Sequence, residues 1–453
     1  FHSNISRLDD GQRTFTSGLV ENTINYEKKF GKHALAALIG QTYQYGSTLV
    51  RSGHSEAFTE PYFPILDNGS NKTASGTIDE NALSSYLGRI NYNYDDKYLL
   101  TATLRRDGSS RFSPSNRFGY FPSIALGWKV TNEPFFKISK DIVSDLKLRA
   151  SYGKLGNQNI DDYLYMAYIN PNIVYNFNGQ KVFGGLQTNL VSPDIKWESK
   201  VTSNIGLDAI LFNGLFDFTA EYYRNKTTDI LVGVPIPAST GSVNQAPTVN
   251  TGSLQNSGFE FMGAYHKNQG DFNFTITANV STIKNKVLAL GENGEPIYGA
   301  GAKTEIGGEV GQHFGYVTEG IFQTSEEVAA HAFQSAATAP GDIKFKDLNG
   351  DNVINADDRA YLGSAIPSLN YGLNFSASYK KIDFTIFASG SSGFKVNSRM
   401  YRDLMLTTDY INRHEDILNR WTPTNTNSDI PRLVANDPNG NGRDSDRKGW
   451  LQD

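Results

Sequence analysis

Residues 272–282 read Phe-Asn-Phe-Thr-Ile-Thr-Ala-Asn-Val-Ser-Thr, so an apolar side chain stands at every second position along most of the stretch. Successive side chains of an extended strand point to opposite faces, so this stretch predicts a β-strand with one apolar and one polar face. The same alternation recurs at 216–222 and 371–379. The sequence therefore predicts an all-β, antiparallel fold.

The alternating stretches number about twelve, and lengths of about ten residues are typical of tilted strands that cross a membrane. A membrane-spanning helix needs about 18 apolar residues in a row, and no run in this sequence approaches that length. The predicted strands cover residues 17–29, 33–44, 83–94, 98–106, 119–130, 146–153, 201–212, 215–224, 254–266, 272–283, 370–380 and 383–390.

The connections between the predicted strands alternate in length. Short turns such as Asn213-Gly214 fall at one end of the strands, with an intermediate link, 131–145, at the same end. Long connections fall at the other end, as in outer-membrane barrels with short periplasmic turns and long extracellular loops. The predicted long loops are 45–82, 107–118, 154–200, 225–253, 284–369 and 391–453. Tyrosines near the short turns predict an interfacial girdle: Tyr92, Tyr94, Tyr98, Tyr265 and Tyr379.

Composition narrows the possible functions. Apolar residues make up 38% of the chain, which is low for a soluble domain, while 27 Phe and 24 Tyr argue against disorder. The net charge of −5 gives no support for a nucleic-acid partner. Cysteine is absent, and neither Gly-x-Ser-x-Gly nor His-Glu-x-x-His occurs, so no enzyme is predicted.

The segment Gly299-Ala-Gly301-Ala302-Lys303-Thr304 resembles a phosphate-binding loop. It has Ala302 where a glycine must precede the lysine, and no strand–helix frame surrounds it. It is therefore predicted to be a flexible external loop.

One stretch, 347–358, follows the spacing of the twelve-residue calcium loop of EF-hands, with oxygen ligands predicted at positions 1, 3, 5, 7, 9 and 12. Asn352 stands where glycine is usual, and Ile354 is expected to anchor the loop in an apolar contact. The alternative is an Asx-rich turn without metal. A structural Ca²⁺ is predicted, held by Asp347, Asn349, Asp351, the Val353 carbonyl, Asn355 and Asp358.

The predicted loops contain further local patterns. Asp437-Pro-Asn439-Gly-Asn441 begins like a second calcium loop but is predicted to be a plain turn. Thr324 and Glu327 have capping-box spacing for a short helix, and 415–421 predicts another.

Basic residues on polar strand faces are expected to point into the barrel lumen: Arg89, Arg105, Lys147 and Arg149. Loop aromatics could stack on sugars or line a protein interface: Tyr163, Tyr165, Tyr168, Tyr175 and Phe177.

A set of short motifs spans nearly the whole chain. The motifs are Leu104-Arg-Arg-Asp-Gly-Ser-Ser-Arg-Phe112, Asn116-Arg-Phe-Gly-Tyr-Phe-Pro-Ser123, Gly127-Trp128, Leu148-Arg-Ala-Ser-Tyr-Gly-Lys-Leu-Gly-Asn157, Trp197-Glu-Ser, Gly341-Asp342-Ile343, Gly363, Pro367-Ser368 and Asn419-Arg-Trp-Thr-Pro423. As a set they resemble the SusC/RagA group of TonB-dependent transporters. Ser113-Pro114 departs from the glycine that the resemblance leads us to expect beside the first motif, which alters a loop tip.

The resemblance implies a transmembrane barrel of 22 strands, of which this chain, residues 1–453, would supply about twelve. It also implies a plug and a TonB box, which together with the closing strands are expected to lie outside this chain. A SusD-like surface lipoprotein would close over the extracellular loops, which carry short helices. The implied function is energised import of oligosaccharides or peptides across the outer membrane of a Gram-negative bacterium.

Two alternatives remain open from the residues alone. One is a secreted, calcium-binding, carbohydrate-active β protein with a dockerin-like element. The other is a passive outer-membrane porin or adhesin, which would share the barrel and lack the TonB and lipoprotein partners.

Overall fold

The computed structural model describes residues 6–58, 63, 65–187, 190–233, 247–291, 293–406 and 412–452. Within them, twelve long strands form one sheet in which neighbours are hydrogen-bonded in chain order, and the short strand Lys284–Ala289 pairs with the ninth. The strands are β1 (Arg7–Phe30), β2 (His33–Glu56), β3 (Ser70–Tyr94), β4 (Tyr98–Ser109), β5 (Phe118–Lys129), β6 (Val143–Asn157), β7 (Glu198–Leu211), β8 (Phe216–Thr228), β9 (Ser253–Gln269), β10 (Phe272–Thr282), β11 (Leu369–Tyr379) and β12 (Ile382–Ser392).

The chain divides into two compact units. The first comprises residues 1–137, 145–205 and 226–252, and the second comprises 138–144, 206–225 and 253–453. All twelve predicted strands are confirmed, and the fold class is all-β. Parts of the predicted loops 225–253 and 391–453 lie outside the described residues.

The first unit presents a continuous apolar face. The register places Tyr26, Ala37, Ile90, Ala102, Ile124 and Tyr152 side by side in one row across β1–β6. Ile90 and Ile124 remain exposed at 49% and 45%, although they are large and apolar. The period-2 pattern therefore produces the single apolar face that the sequence predicts.

A row of aromatic rings borders this face beside the short turns. Phe30 stacks on His33 at 5.2 Å, His33 lies 4.9 Å from Tyr94, and Tyr94 stacks on Tyr98 at 6.3 Å between ring centroids. Trp128 continues the row as the cross-strand partner of Tyr98. Aromatic rows of this kind mark the interfacial level of membrane proteins, as predicted for Tyr94 and Tyr98.

The second unit repeats the arrangement. Tyr265, Ile276, Phe375 and Ile386 form one row across β9–β12. At the short-turn end, Tyr379 pairs with Phe272 on one side and Ile382 on the other.

The predicted loop 45–82 is wrong in most of its length. β2 continues to Glu56 and β3 begins at Ser70, so both strands run far beyond the apolar stretch. Ladder hydrogen bonds join backbone groups, so polar residues can extend two strands that pair with each other. Polar cross-strand contacts support the extension, including Tyr45 to Glu80 at 2.5 Å and Ser52 to Ser75 at 2.7 Å.

The alternation of short and long connections is confirmed. Asn213 and Gly214 both have positive φ, 59° and 85°, as the predicted hairpin turn requires. The link 130–142 is longer than the other connections at its end and contains a short 3-10 helix, Val130–Asn132. The predicted loop 154–200 contains a hairpin, Ile169–Phe177 paired with Gln180–Gln187, that the sequence analysis missed.

Two predicted loops fold together into one body within the second unit, which we call the loop subdomain (the described residues of 284–368 and 393–452). Its core consists of Ile343, Phe345, Ile354, Met405, Ile417, Ile430 and Trp450. Its strands are Ile297–Gly299, Ala302–Thr304, Gln312–Tyr316, Thr318–Ile321, Ile343–Phe345, Arg359–Gly363, Val396–Asn397 and Leu451–Gln452.

The helices of the loop subdomain are short. Helix α1 (Ser325–Ala330) is confirmed, because the Thr324 side chain accepts a hydrogen bond from the Glu327 amide. The second predicted helix is a 3-10 turn, Glu415–Asn419, and helix α2 (Arg399–Leu406) was not predicted. Among the described residues, no helix is both long enough and apolar enough to cross a membrane.

Candidate functional site

The predicted calcium loop adopts the backbone shape that its spacing implies. Asn352, at the position where glycine is usual, has φ of 65°, which asparagine tolerates better than most residues. Ile354 is buried, and its amide donates to the Phe333 carbonyl at 2.9 Å. The predicted anchoring of the loop by Ile354 is therefore confirmed.

Backbone amides satisfy the carboxylates of this loop. Asp347 accepts from the amides of Gly350 and Asn352 at 2.7 and 2.8 Å, and Asp351 accepts from Val353 at 2.8 Å. Asp358 is fully buried and accepts from Leu348 at 2.9 Å and Asn355 at 2.8 Å.

The buried Asp358 carboxyl is held as a carboxylate. Its burial opposes charge, but hydrogen bonds from the amides of Asn355, Leu348 and Asn349 hold its pKa below the ordinary value. A depressed folded-state pKa contributes stability that is present above the ordinary pKa and lost as pH falls.

The fit of this loop to calcium is one of shape and donor type. Six oxygen donors occur at the right spacing, and oxygen is the ligand that Ca²⁺ takes. No group of three or more His, Cys, Asp or Glu side chains among the described residues converges as a metal site. The carboxylates would therefore have to turn toward an ion, and calcium binding stays a prediction.

A second polar centre in the loop subdomain surrounds Asp342, whose side chain is fully buried. Arg432 donates to both of its oxygens, at 2.6 and 2.9 Å. Asn439 and Asn441, both buried, also donate to this carboxylate. The Ala339 amide donates a further bond at 2.8 Å. Asp342 thereby ties residues 339–343 to the distant segment 432–441.

This centre was not predicted from the sequence. The stretch Asp437-Pro-Asn439-Gly-Asn441 was predicted to be a plain turn, and the backbone does turn there, with the Gly440 amide donating to the Asp437 carbonyl at 3.1 Å. The buried asparagines use that turn to reach Asp342, and the Asn441 side chain also accepts from the Ile343 amide at 2.8 Å. No local spacing signals a contact between residues this far apart in sequence.

Gly341 and Trp421, from two separate motifs of the sequence, meet beside this centre. Gly341 has φ of 92°, and a Cβ atom there would lie 2.4 Å from the Trp421 ring. Trp421 Nε1 donates to Gln323 Oε1 at 3.0 Å. The glycine is therefore required both by its backbone conformation and by the ring packed on it.

In the first unit, three further motifs form a buried cluster of Phe112, Phe121, Ile195 and Trp197. The rings of Phe112 and Phe121 lie 5.1 and 5.3 Å from that of Trp197, whose Nε1 donates to the Arg117 carbonyl at 3.0 Å. The cluster packs the connection between β4 and β5 and the first residues of β5 against the segment that precedes β7.

Two arginines beside this cluster form ion pairs. Arg111 contacts Asp162 at 2.8 Å, and Arg105, predicted to point into a lumen, contacts Asp107 at 2.7 Å and Ser85 at 3.0 Å. These pairs brace the loops and are half-buried, so a structural role accounts for them.

The loop aromatics separate into two groups. The Tyr163 hydroxyl accepts from the Glu80 amide at 3.2 Å, and Tyr165 packs on the cluster around Trp197. Tyr168, Tyr175 and Phe177 are exposed, at 50%, 65% and 63%. The rings of the second group are therefore the more exposed to solvent.

Comparison with known proteins places the chain among outer-membrane receptors. A family model described as TonB dependent receptor-like, beta-barrel, matches residues 2–436. The chain is 35% identical to TonB-dependent receptor P26 of Formosa agariphila, over 93% of this chain and 43% of that protein. It is 33% identical to TonB-dependent receptor SusC of Bacteroides thetaiotaomicron, over 84% of this chain and 38% of that protein.

A solved structure, that of the RagAB peptide transporter, superposes with a TM-score of 0.80 at 24% identity, over 95% of this chain and 47% of that one. The chain thus spans less than half the length of these relatives, and the structural likeness covers nearly all of it.

Proposed function

The chain belongs to the TonB-dependent receptors of the SusC/RagA type, and on that premise we propose that it contributes to TonB-driven import of oligosaccharides or peptides. Its strands are part of an antiparallel transmembrane β-barrel in the outer membrane of a Gram-negative bacterium. The observation that carries the proposal is the family match along residues 2–436.

The fold supports a receptor with an elaborate external side. The face formed by rows such as Tyr26 to Tyr152 suits lipid, because a lipid-facing strand surface is apolar and flanked by aromatic rings. The loop subdomain follows β10 and β12, at the end of the strands that carries the long connections. A solute arriving from outside would meet this folded body first.

The solute class is the finer part of the proposal. Import of peptides is supported by the likeness to the RagAB peptide transporter, whereas the 33% identity to TonB-dependent receptor SusC supports the receptor family and names no solute. The exposed rings of Tyr168, Tyr175 and Phe177 suit stacking on sugars and contact with a protein alike.

The partners are a SusD-like surface lipoprotein over the extracellular loops and TonB on the periplasmic side. The likeness to RagAB supports the first, and the family match supports the second. Affinity purification of the outer-membrane protein from its own cells, followed by mass spectrometry, tests the lipoprotein. Recovery of the transporter alone under mild detergent would contradict it.

Growth of a deletion strain on defined glycans and peptides tests the import function. Loss of growth on one class, restored by the gene, is expected and names the substrate. Deleting TonB should produce the same loss. Unimpaired uptake without TonB would favour the passive porin, which is the alternative that shares the barrel.

The outer-membrane location is incompatible with the secreted β protein. The relatives are receptors and transporters, so we propose no enzymatic reaction for this chain and no nucleic-acid partner.

Charge on the outer face is expected to destabilise the barrel. Ile124 lies in the apolar row of β5, about 13 Å along the strand from Trp128. Ile124→Arg is expected to lower the free energy of unfolding by about 2–4 kcal/mol, because it places a cation in lipid. Urea unfolding in lipid vesicles measures it. Ser123→Arg, on the opposite face, is the control, and an equal loss in both variants would contradict the assignment of faces.

We propose that residues 347–358 hold a structural calcium ion. Calcium at about one hundred times its dissociation constant is expected to stabilise the loop subdomain by about 2.7 kcal/mol, which thermal unfolding with and without a chelator measures. Asp347→Ala should abolish the difference, whereas Asp357→Asn, outside the predicted ligand positions, should keep it. A melting temperature unmoved by calcium would reject the site in favour of a metal-free Asx-rich turn.

A further inference from the structure

A small pocket in the loop subdomain surrounds the Gly-Ala segment that the sequence analysis treated as a flexible loop. Gly299 to Ala302 form the turn of a hairpin between the strands Ile297–Gly299 and Ala302–Thr304. Gly301 has φ of 69°, and a Cβ atom there would lie 2.7 Å from the Asp444 carboxyl. The pocket beside this turn has a volume of about 340 Å³ and is also lined by Arg359 and Arg443.

The segment that closes the pocket is fixed by backbone bonds. The Tyr316 amide donates to the Asp444 carbonyl at 2.9 Å, and the Asp446 amide donates to the Tyr316 carbonyl at 3.1 Å. Gly315 permits this approach, since a Cβ atom there would lie 2.1 Å from the Asp444 carbonyl oxygen. Backbone hydrogen bonds therefore fix the wall of the pocket that contains Tyr316 and Asp444.

The charges around the pocket do not balance. The Asp444 carboxylate is engaged by Arg402 at 2.6 Å, and Glu305 is engaged by Lys303 at 2.7 Å. Among the described residues, neither Arg359 nor Arg443 has a carboxylate within ion-pair distance. Two guanidinium groups therefore line the pocket without an ion-pair partner among the described residues. The Asp444 carboxylate also lines the pocket, and Asp437 interacts electrostatically with Arg443 at longer range.

Aromatic rings hold both guanidinium groups in place. Arg443 lies 5.2 Å from the centroid of Tyr316, and Arg359 lies 5.2 Å from that of Phe314. Arg359 Nε also donates to the Ala356 carbonyl at 3.0 Å. Fixed cations lose little conformational freedom when a ligand binds.

Arg443 also carries an unused donor. Its Nη1 is buried and has no hydrogen-bond partner in the described part of the chain. A buried donor without a partner is costly, and such a group commonly marks a place for a water or a ligand. The Arg443 side chain would have to turn to present this donor to an anion in the pocket.

We propose that this pocket binds a carboxylate group of the imported solute, through Arg443 and Arg359. The planar guanidinium matches a carboxylate with two parallel hydrogen bonds. The inference rests on the proposed import of oligosaccharides or peptides, both of which can carry carboxylates. It narrows that solute to an acidic one, carrying either uronic acids or acidic residues.

Calorimetric titration of the full-length transporter, purified in detergent, tests the proposal with two matched pairs of probes. One pair is an oligogalacturonide and a neutral maltooligosaccharide of equal length. The other is a glutamate-containing peptide and its glutamine analogue. The acidic member of one pair is expected to bind about tenfold more tightly, the equivalent of one charge-assisted hydrogen bond. The pair that discriminates identifies sugar or peptide as the source of the carboxylate.

The variants Arg443→Gln and Arg359→Gln should remove that preference, and Arg443→Lys should retain part of it. Arg399→Gln, on the exposed face of α2, is the matched control and should retain all of it. Ala300→Glu, which places a carboxylate at the pocket, is a second route if the arginine variants fold poorly. It should abolish the preference.

Equal binding of acidic and neutral probes in both pairs would overturn the proposal, as would a preference that survives Arg443→Gln. These binding results are independent of growth. Normal import by cells that carry the transporter, together with equal binding of acidic and neutral probes, would reject only the proposed carboxylate pocket. Normal growth of the deletion strain on every substrate would reject the import function.

Discussion

Arg432→Ala is expected to lower the free energy of unfolding of the loop subdomain by about 3–5 kcal/mol, the cost of leaving a buried carboxylate without its cation. Asp342 is fully buried, and Arg432 donates to both of its oxygens. Asn439 and Asn441 donate to the same group but bring no charge. The guanidinium is therefore the component that the carboxylate cannot lose without a large penalty.

The effect should be confined to one part of the molecule. Hydrogen exchange and limited proteolysis are expected to show faster opening of residues 339–345 and 430–450, because Asp342 ties these segments together. The twelve strands should still resist heat and detergent, because their ladders do not depend on this contact.

Two further variants separate charge from shape. Arg399→Ala, on the surface of α2, should leave exchange unchanged, since its contact with Asp403 at 3.7 Å is exposed. The double variant Asp342→Leu/Arg432→Leu should recover part of the lost stability because it leaves no unpaired charge. Wild-type exchange rates in Arg432→Ala would show that Asp342 does not need its cation.

Trp197→Ala is expected to destabilise the first unit by about 3–5 kcal/mol, the usual cost of truncating a buried aromatic side chain. Trp197 contacts the rings of Phe112 and Phe121, and its indole donates to the Arg117 carbonyl. Truncation would leave a cavity and also an unpaired carbonyl. Gly156 lies under the same rings, where a Cβ atom would be 2.1 Å from Phe121, so little room exists for repacking.

Urea unfolding of the purified protein in lipid vesicles measures this loss. Trp197→Phe should cost less than Trp197→Ala, because it keeps most of the ring contact and loses the hydrogen bond. Phe177→Ala is the matched control, as that ring is exposed and belongs to no core. If truncating Trp197 costs no more than truncating Phe177, the cluster does not stabilise the strand ends.

The strand pattern was predictable because it depends on neighbours in sequence. Alternation at 272–282 specified both the element and its face, and the observed register confirms it through pairs such as Ile276 with Phe375. The bounds of β2 and β3 were not predictable, since their outer parts are polar and are strands only because each has a hydrogen-bonded neighbour.

In the candidate site, too, features set by sequence neighbours were predictable and features set by distant residues were not. The backbone of the calcium-type loop followed from local spacing, and the φ of Asn352 agrees with it. The Asp342 centre and the pocket of Arg359 and Arg443 did not follow. Asp342 is 90 residues from Arg432 in sequence, and no periodicity connects residues at that separation.

The sequence by itself determined the twelve strands, the faces they present, the alternation of their connections and the family. All of these follow from alternation over a few residues or from short motifs, since strand geometry repeats every two residues. The tertiary structure alone decided that described residues of 284–368 and 393–452 share one core, and which carboxylates are buried. It also decided that, in the described part of the chain, neither Arg359 nor Arg443 has a carboxylate within ion-pair distance. Those outcomes depend on which side chains, distant in sequence, pack together and exclude water. The residues that neighbour a position in the sequence do not determine this packing.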